Sequence, residues 1–398
     1  MLDPRRPAAA VPCQASVDHR RHEAAQLGHI APLPKYHEHL ARERAGLSAS
    51  WLEERQLSYV AHSAYHAGSH VSGRPLLLDE HYRCHPGIVG VVNDYCYNGR
   101  LEVLTDVRAL RRVPASTTSE RWVLAWEDVD GRPRPGDNGR SWVNEAEIDC
   151  VCDVVRRLLA ELSPDSKVGV VTPFRAQKES LEKALQAERR SDASRERVQI
   201  GTVHQFQGGA RDAMILSLVA NDKAPKPTRD WVASQLDLWN VAITRARAHL
   251  VTVGAQSFWS QQPGVPAQLA KSSPRLPPEA WPTAVPPLQG MAGGDRLMDQ
   301  LHDQLIQAGH GDLERNALLD GYRCDFVFGG PDEPAAVILD RGARDGHDAA
   351  RHMRLMLTRC RLLADVAGDD RSNGTVARGI RVPAWRVLAG AGIPQDGA

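Results

Sequence analysis

An α/β fold built on a parallel sheet is the first expectation this chain raises, and three observations in residues 198–254 raise it. Two short apolar runs, 198–203 and 213–219, have strand length and a β-branched bias. Between them Gln205-Phe206-Gln207-Gly208-Gly209 is polar and glycine-rich, so the backbone could approach a phosphate closely. A helical segment at about 231–246 and a third apolar run, 249–253, complete the order strand, loop, strand, helix, strand. That order belongs to a parallel sheet with ligand groups at the strand ends. Thr244-Arg245-Ala246-Arg247 lies near the end of the helix, where a guanidinium suits the charge that develops on a transferring phosphoryl group.

Four segments in order then carry a resemblance. Tyr82-Arg83-Cys84-His85-Pro86 is followed by Asn93 and Tyr97-Asn98-Gly99-Arg100-Leu101. Residues 168–177 read VGVVTPFRAQ, 201–208 read GTVHQFQG and 239–247 read WNVAITRAR. Together they resemble the later motifs of superfamily 1 helicases, in the group that holds the nonsense-mediated-decay helicase and the replication helicase-nucleases. The resemblance covers roughly residues 74–254 and implies a second RecA-like motor domain working with ATP and Mg²⁺ in the complete motor, on DNA or RNA. It implies that Tyr82 stacks on a nucleobase and Arg83 reaches a phosphate. It also implies that Gln207 and Gly208 lie near the γ-phosphate and that Arg245 is the arginine finger. Arg245, Gln207 and Arg83 are thus the catalytic candidates, and Tyr82 and Gly208 join them in nucleotide binding. Thr172, Pro173, Gln177 and Thr202 are the expected nucleic-acid contacts, of the sequence-independent kind made to phosphates. One departure stands out: relatives carry Gln-Gly-x-Glu where this chain has Gln207-Gly208-Gly209-Ala210, so the usual ribose-holding acid is missing. Asp212 is the nearest substitute.

Composition sets the bounds. The 398 residues suffice for two or three domains, and 42% hydrophobic with 25% charged residues is ordinary for a soluble protein. Lys+Arg and Asp+Glu both number 49, so no global basic field announces a nucleic-acid partner. No run reaches the length of a membrane span and the start lacks a secretory pattern, so a cytoplasmic protein with no membrane partner is expected. The seven cysteines show no paired C-x-x-C spacing, which argues for free thiols over a zinc site.

Along the chain, residues 1–72 read as a remnant of uncertain fold with one helix at about 38–56. Residues 73–260 read as the helicase domain and 261–290, with eight prolines, as an extended linker. Within the helicase domain Asn144 and Glu147 have the spacing of a capping box. The helix after it puts Ile148, Val151, Val154, Val155, Leu158 and Leu159 on a core face with no chemistry in it. Strands are expected at 122–129 and 168–172 and a helix at 175–186. No G-x-x-x-x-G-K-[ST] occurs, and Asp79-Glu80 reads as an ordinary strand end. A first motor domain is therefore expected as a partner, in cis or in trans.

Residues 291–398 read as a small separate α/β domain. A helical face at 297–306 precedes two strands, each carrying an acid, Asp325 and Asp340, and then an arginine-rich helix. This resembles the endonuclease-like domains of the very-short-patch-repair and restriction type. Their chemistry needs two carboxylates for Mg²⁺ and a lysine to orient water. Asp325 and Asp340 are the metal candidates, but Gly342 stands where the lysine is expected, so a degenerate domain is expected. His347 and His352, five apart, make a poor metal pair. Three functions follow: the C-terminal part of an ATP-dependent nucleic-acid helicase, a metal-dependent DNA nuclease, or a non-catalytic nucleic-acid-binding module.

Overall fold

A computed structural model describes residues 32–55, 57–58, 78–110, 123–137, 139, 141–186, 196–206, 209–273, 295–319, 321–329, 335–343, 348–369 and 378–390. They fall into two compact units. The smaller lies within 1–79 and 95–100, and its described residues include α1 (Pro32–Ala45) and α2 (Ala49–Glu54). The single helix expected at 38–56 is broken because Gly46 turns left-handed (φ +64°) and Ser48 starts afresh. Its hydroxyl caps the new helix by accepting from Trp51 N.

The larger unit spans Glu80–Asp94 and 101–398. Strand β1 (Glu80–His81) pairs in parallel with β2 (Glu102–Val103), and helix α3 (Pro86–Tyr97) connects them. Asn93 closes this connection with both ends of its amide, donating to Leu101 O and accepting from Leu101 N. The central sheet follows. Its strands are β3 (Leu124–Asp128), β6 (Val168–Val171), β7 (Val198–Gly201), β8 (Arg211–Ser217) and β9 (Ala246–Gly254). They run in the order β3-β9-β8-β6-β7, and every pair is parallel. After β3 a short antiparallel pair forms, β4 (Arg134–Pro135) with β5 (Trp142–Val143).

Helices cover the sheet because its central strands are apolar on both faces. The inner stripe of α4 (Glu145–Glu161), from Ile148 through Val151, Val155 and Leu158, packs on Val168, Val170, Ile215 and Val251. Each such side chain contributes about 1.5–3 kcal/mol by leaving water. Helix α5 (Arg175–Ala184) packs beside it through Leu181.

The helix expected at 231–246 is two, α6 (Lys226–Ser234) and α7 (Leu236–Ile243), and Ala246 already belongs to β9. The break at Gln235 leaves the Val232 carbonyl short of helical partners, and the Trp239 indole donates to it at 2.9 Å. Trp239 stacks edge-on against Trp259, at the end of α8 (Gln256–Trp259). Part of the expected proline linker is also helical: α9 (Val265–Ser272) begins at Gly264, and Pro266 in its first turn needs no hydrogen-bond partner. The prolines from 274 to 287 lie outside the described residues.

The C-terminal part starts with α10 (Arg296–Gln307), capped by Asp295. After it come β10 (Glu314–Arg315), β11 (Leu318–Leu319), β12 (Tyr322–Arg323), β13 (Phe326–Phe328) and β14 (Ala335–Asp340). Helix α11 (Ala349–Asp369), β15 (Arg378–Pro383) and α12 (Ala384–Leu388) complete it. A sheet β10-β13-β14-β15 is antiparallel except for the parallel pair β14–β15. Strand β14 alternates its two faces between two cores. Val337 and Leu339 pack with α10, while Ala336 and Ile338 join Met356, Leu362 and Leu363 of α11. That second core also takes in Val107, Leu110 and Ala248, so the C-terminal layer shares a core with the segment around β2 and with β9.

Candidate functional site

Because all five central strands are parallel, the sheet has two chemically distinct edges. Strands of this length span about 20 Å from Arg211 to Ser217. The expected site residues divide between those edges.

At the strand starts, an arginine cluster forms. Arg245 is the residue immediately before β9, not the end of a helix, and it is held there twice through its backbone. Its carbonyl accepts from Arg211 N at 2.9 Å, and its own N–H reaches Ala242 O. The Tyr82–Pro86 segment joins the same edge: His85 N donates to Arg247 O at 2.7 Å, and the Cys84 thiol donates to Thr244 O at 3.2 Å. The two segments, about 160 residues apart in sequence, are thereby locked together. Burial first, then the charges of Arg83 and Arg245, push the His81 imidazole down to about 4. It is neutral at physiological pH and accepts the Cys84 N–H at Nε2. Arg83, Arg245 and Arg247 all act on Cys84, yet burial wins and the thiol is pushed up to about 12. The thiol is therefore a packed donor and no nucleophile.

Three guanidinium groups converging at one strand edge leave a field that suits a polyanion. Tyr82, the residue before Arg83, is 61% exposed, with its hydroxyl on Glu80 Oε2 at 2.5 Å. Arg245 itself is buried, and its Nε donates to Val241 O at 3.3 Å. Gln207 and Gly208 lie outside the described residues. Asp212, the expected substitute for the ribose-holding acid, lies at the start of β8, at this same edge. Its carboxylate accepts from Lys167 N at 2.8 Å and lies 3.8 Å from Arg247.

At the strand ends, Thr172, Pro173, Gln177 and Thr202 meet. Thr172 is wholly buried, and its Oγ1 accepts from Phe174 N across the turn made by Pro173. Thr202 is half-buried and gives its N–H to Gln205 Oε1. Gln177 is also fully buried. It accepts Asn144 N at 2.9 Å and donates to Ser217 Oγ at 3.0 Å.

Those bonds belong to a buried polar network that the sequence pattern hides. The expected capping box does not close. Asn144 is the N-cap residue, but its side chain makes no cap bond and donates to Glu147 Oε1 at 3.1 Å. Glu147 in turn accepts the Ser217 hydroxyl at 2.8 Å and Val219 N at 2.9 Å. Val219 sits at φ +65°, a left-handed conformation that a β-branched residue rarely takes. Burial raises the Glu147 carboxyl to about 7 against the lowering effect of those donors. Glu147 falls on the same buried helical stripe as Val151 and Val154.

In the C-terminal part, Asp325 and Asp340 are spent on protein groups. Asp340 accepts from Gly342 N at 2.8 Å and Arg381 Nε at 2.6 Å, and lies 2.7 Å from His352 Nε2. Burial pushes it up, but these partners outweigh burial and hold it below the usual carboxylate range. Asp325 accepts from Leu339 N at 2.6 Å, and burial raises it. Among the described residues no three His, Cys, Asp or Glu side chains gather to hold a metal. His347 lies outside them. Nor is any helix among the described residues long and apolar enough to cross a membrane.

Comparison with known proteins agrees with the geometry of the central sheet. Residues 60–257 match the model of the AAA domain family. A putative helicase mov-10-B.1 of Danio rerio is 28% identical over 193 residues, 44% of this chain and 19% of that protein. The 5′-3′ DNA helicase ZGRF1 of Mus musculus is 30% identical over 46% of this chain and 9% of its own length. A putative regulator of nonsense transcripts 1 from Takifugu rubripes is 26% identical over 48% of this chain and 17% of its own. The chain spans less than a fifth of each of these relatives. Residues 60–257 are thus similar to the AAA domain and to a segment of each of these helicases and of the nonsense-transcript regulator.

Proposed function

We propose that this chain supplies the second motor domain of an ATP-dependent nucleic-acid helicase, with a P-loop domain supplied from outside these residues, in cis or in trans. One observation carries the reading: the bonds from His85 N to Arg247 O and from the Cys84 thiol to Thr244 O bring Arg83 and Arg245 to one edge of the sheet. In that reading Arg83 and Arg245 face nucleotide phosphates, and Gln207 and Gly208 approach the γ-phosphate. The turn that Thr172, Pro173, Gln177 and Thr202 build at the opposite edge meets the nucleic acid, with the Thr172 and Gln177 side chains buried behind it. The arginines fit a triphosphate by charge and by planar donor geometry. Among the described residues the carboxylate nearest to the cluster, Asp212, is engaged by Lys167 N and lies by Arg247, so in this reading the groups that would hold Mg²⁺ come from the P-loop partner.

Without a P-loop the 398 residues offer no lysine and no backbone cradle for the β- and γ-phosphates, so they should not hydrolyse ATP above background. Nucleic-acid-stimulated turnover by this chain alone, lost in Arg245→Ala, would overturn that. In an assembled motor, Arg245→Ala should cost on the order of 10³-fold in turnover while nucleic-acid affinity stays close to wild type. Retention of more than about a tenth of turnover would move the finger role to Arg83 or Arg247.

For the C-terminal part, a non-cutting role is favoured. A guanidinium and an imidazole take the Asp340 oxygens that a metal would need. Incubating the full chain with Mg²⁺ or Mn²⁺ and single-stranded or duplex DNA should leave the DNA intact. Cleavage that disappears in both Asp325→Ala and Asp340→Ala would restore the nuclease reading.

A further inference from the structure

The arginine-rich helix α11, which charge alone would assign to nucleic acid, instead lies on the segment that carries Tyr82. Arg351 donates from Nε and Nη2 to Glu80 Oε1 at 3.1 and 2.9 Å. The other oxygen of the same carboxylate takes the Tyr82 hydroxyl. Eight residues on, Arg359 lies 3.6 Å from Glu102, the β2 partner of Glu80. Gly321 fits against Gly87 and His85 so tightly that a Cβ there would come within 2.6 Å of Gly87 N. Between these points Arg354 is exposed and close enough to act electrostatically on the Tyr82 phenol.

We propose that the C-terminal domain forms part of the nucleotide-facing surface, with Arg351 as a positioning residue that fixes Tyr82 through Glu80 and Arg354 as an added cationic contact at the rim of that ring. The proposal rests on the reading of Arg83 and Arg245 as the phosphate site. An exposed tyrosine that precedes Arg83 in sequence and feels Arg351 and Arg354 offers a π-face for a base beside positive charge for phosphates. The phenol can rotate about two side-chain bonds unless its hydroxyl is held, and Arg351 neutralises and orients the Glu80 carboxylate that holds it. A guanidinium at the rim can lie over a base stacked on the ring. The ligand class is a nucleoside polyphosphate.

The test uses the full chain, a fluorescent N-methylanthraniloyl ATP and a labelled single-stranded oligonucleotide. Arg351→Ala should weaken the ATP analogue about tenfold, the worth of one charge-assisted hydrogen bond, and Arg351→Lys should recover most of it. Arg354→Ala should weaken it several-fold. Arg359→Ala, which removes a docking pair away from Tyr82, should stay within twofold, and all four variants should bind the oligonucleotide as wild type does. Equal losses in Arg359→Ala and Arg351→Ala would overturn the proposal, because only docking would then matter. Unchanged analogue binding in Arg351→Ala and Arg354→Ala would overturn it too, and so would a loss confined to the oligonucleotide. If Arg245→Ala still weakens the analogue, the phosphate reading survives that failure. No analogue binding by wild type would overturn both.

Discussion

Glu147 is a carboxylate with no water around it, and its proton balance should show in the stability of the whole domain. Its carboxyl is raised from 4.5 to about 7 on folding, chiefly by burial. Between those values the folded protein holds a proton that the unfolded chain has lost, so stability falls as pH rises through the window and levels off above about 7. The full loss is about 3 kcal/mol at 1.36 kcal/mol per pKa unit. Glu147→Gln removes the titration and keeps one acceptor for Val219 N, while its new amide can donate to Asn144 Oδ1, which is buried without a partner. Urea midpoints should therefore converge on wild type near pH 5 and exceed it near pH 8. A variant that tracks the wild-type slope across pH 5–8 would show that another group titrates there. Arg245 was legible in the sequence because its neighbours Thr244 and Arg247 form a pattern. Glu147 was not, because a helix-start acid ordinarily faces solvent and only the burial of its stripe shows otherwise.

Strands were legible as elements because β-branched runs leave few alternatives, and β6, β7, β8 and β9 lie within two or three residues of the apolar runs that predict them. Helix ends were less so. A period of apolar residues continues through the Gln235 break and the Gly46 turn, where backbone bonding and not hydrophobicity decides. The proline count misled at α9, since a proline in a first turn is compatible with a helix. The edge at which Arg245 sits was likewise hidden. Ligands of open parallel sheets usually meet the strand ends, whereas Arg245 precedes its strand. In the C-terminal part, α11 crosses β15 where Gly379 allows it: a Cβ there would lie 2.0 Å from Cys360 O. Backbone cannot give way as a side-chain tip can. Gly379→Ala should cost about 1–3 kcal/mol by overpacking. Chemical denaturation that places it within about 0.5 kcal/mol of wild type would mean the helix shifts freely.

At the scale of the molecule, the C-terminal layer is joined to the central sheet and the segment around β1 and β2. Among the described residues four ion pairs cross the join: Arg351–Glu80, Arg359–Glu102, Arg323–Asp94 and Arg108–Asp365. Their side chains are part-exposed, and pairs of that kind contribute at most about 1 kcal/mol each and weaken with salt. The shared core is different in kind. Val107, Leu110 and Ala248 pack with Tyr322, Ile338, Met356 and Leu362 out of water, and the Tyr322 hydroxyl donates to Thr105 O. Neither part could expose its share of that surface without losing burial, so the two should unfold together. Calorimetry on the full chain should show one transition for the central sheet and the C-terminal layer, little moved between low and high salt. Leu362→Ala, which opens a cavity in the shared core, should lower that transition as a whole, by about 2–5 kcal/mol. Two resolved transitions, with Leu362→Ala moving only one of them, would show that the C-terminal layer is a separately folding passenger.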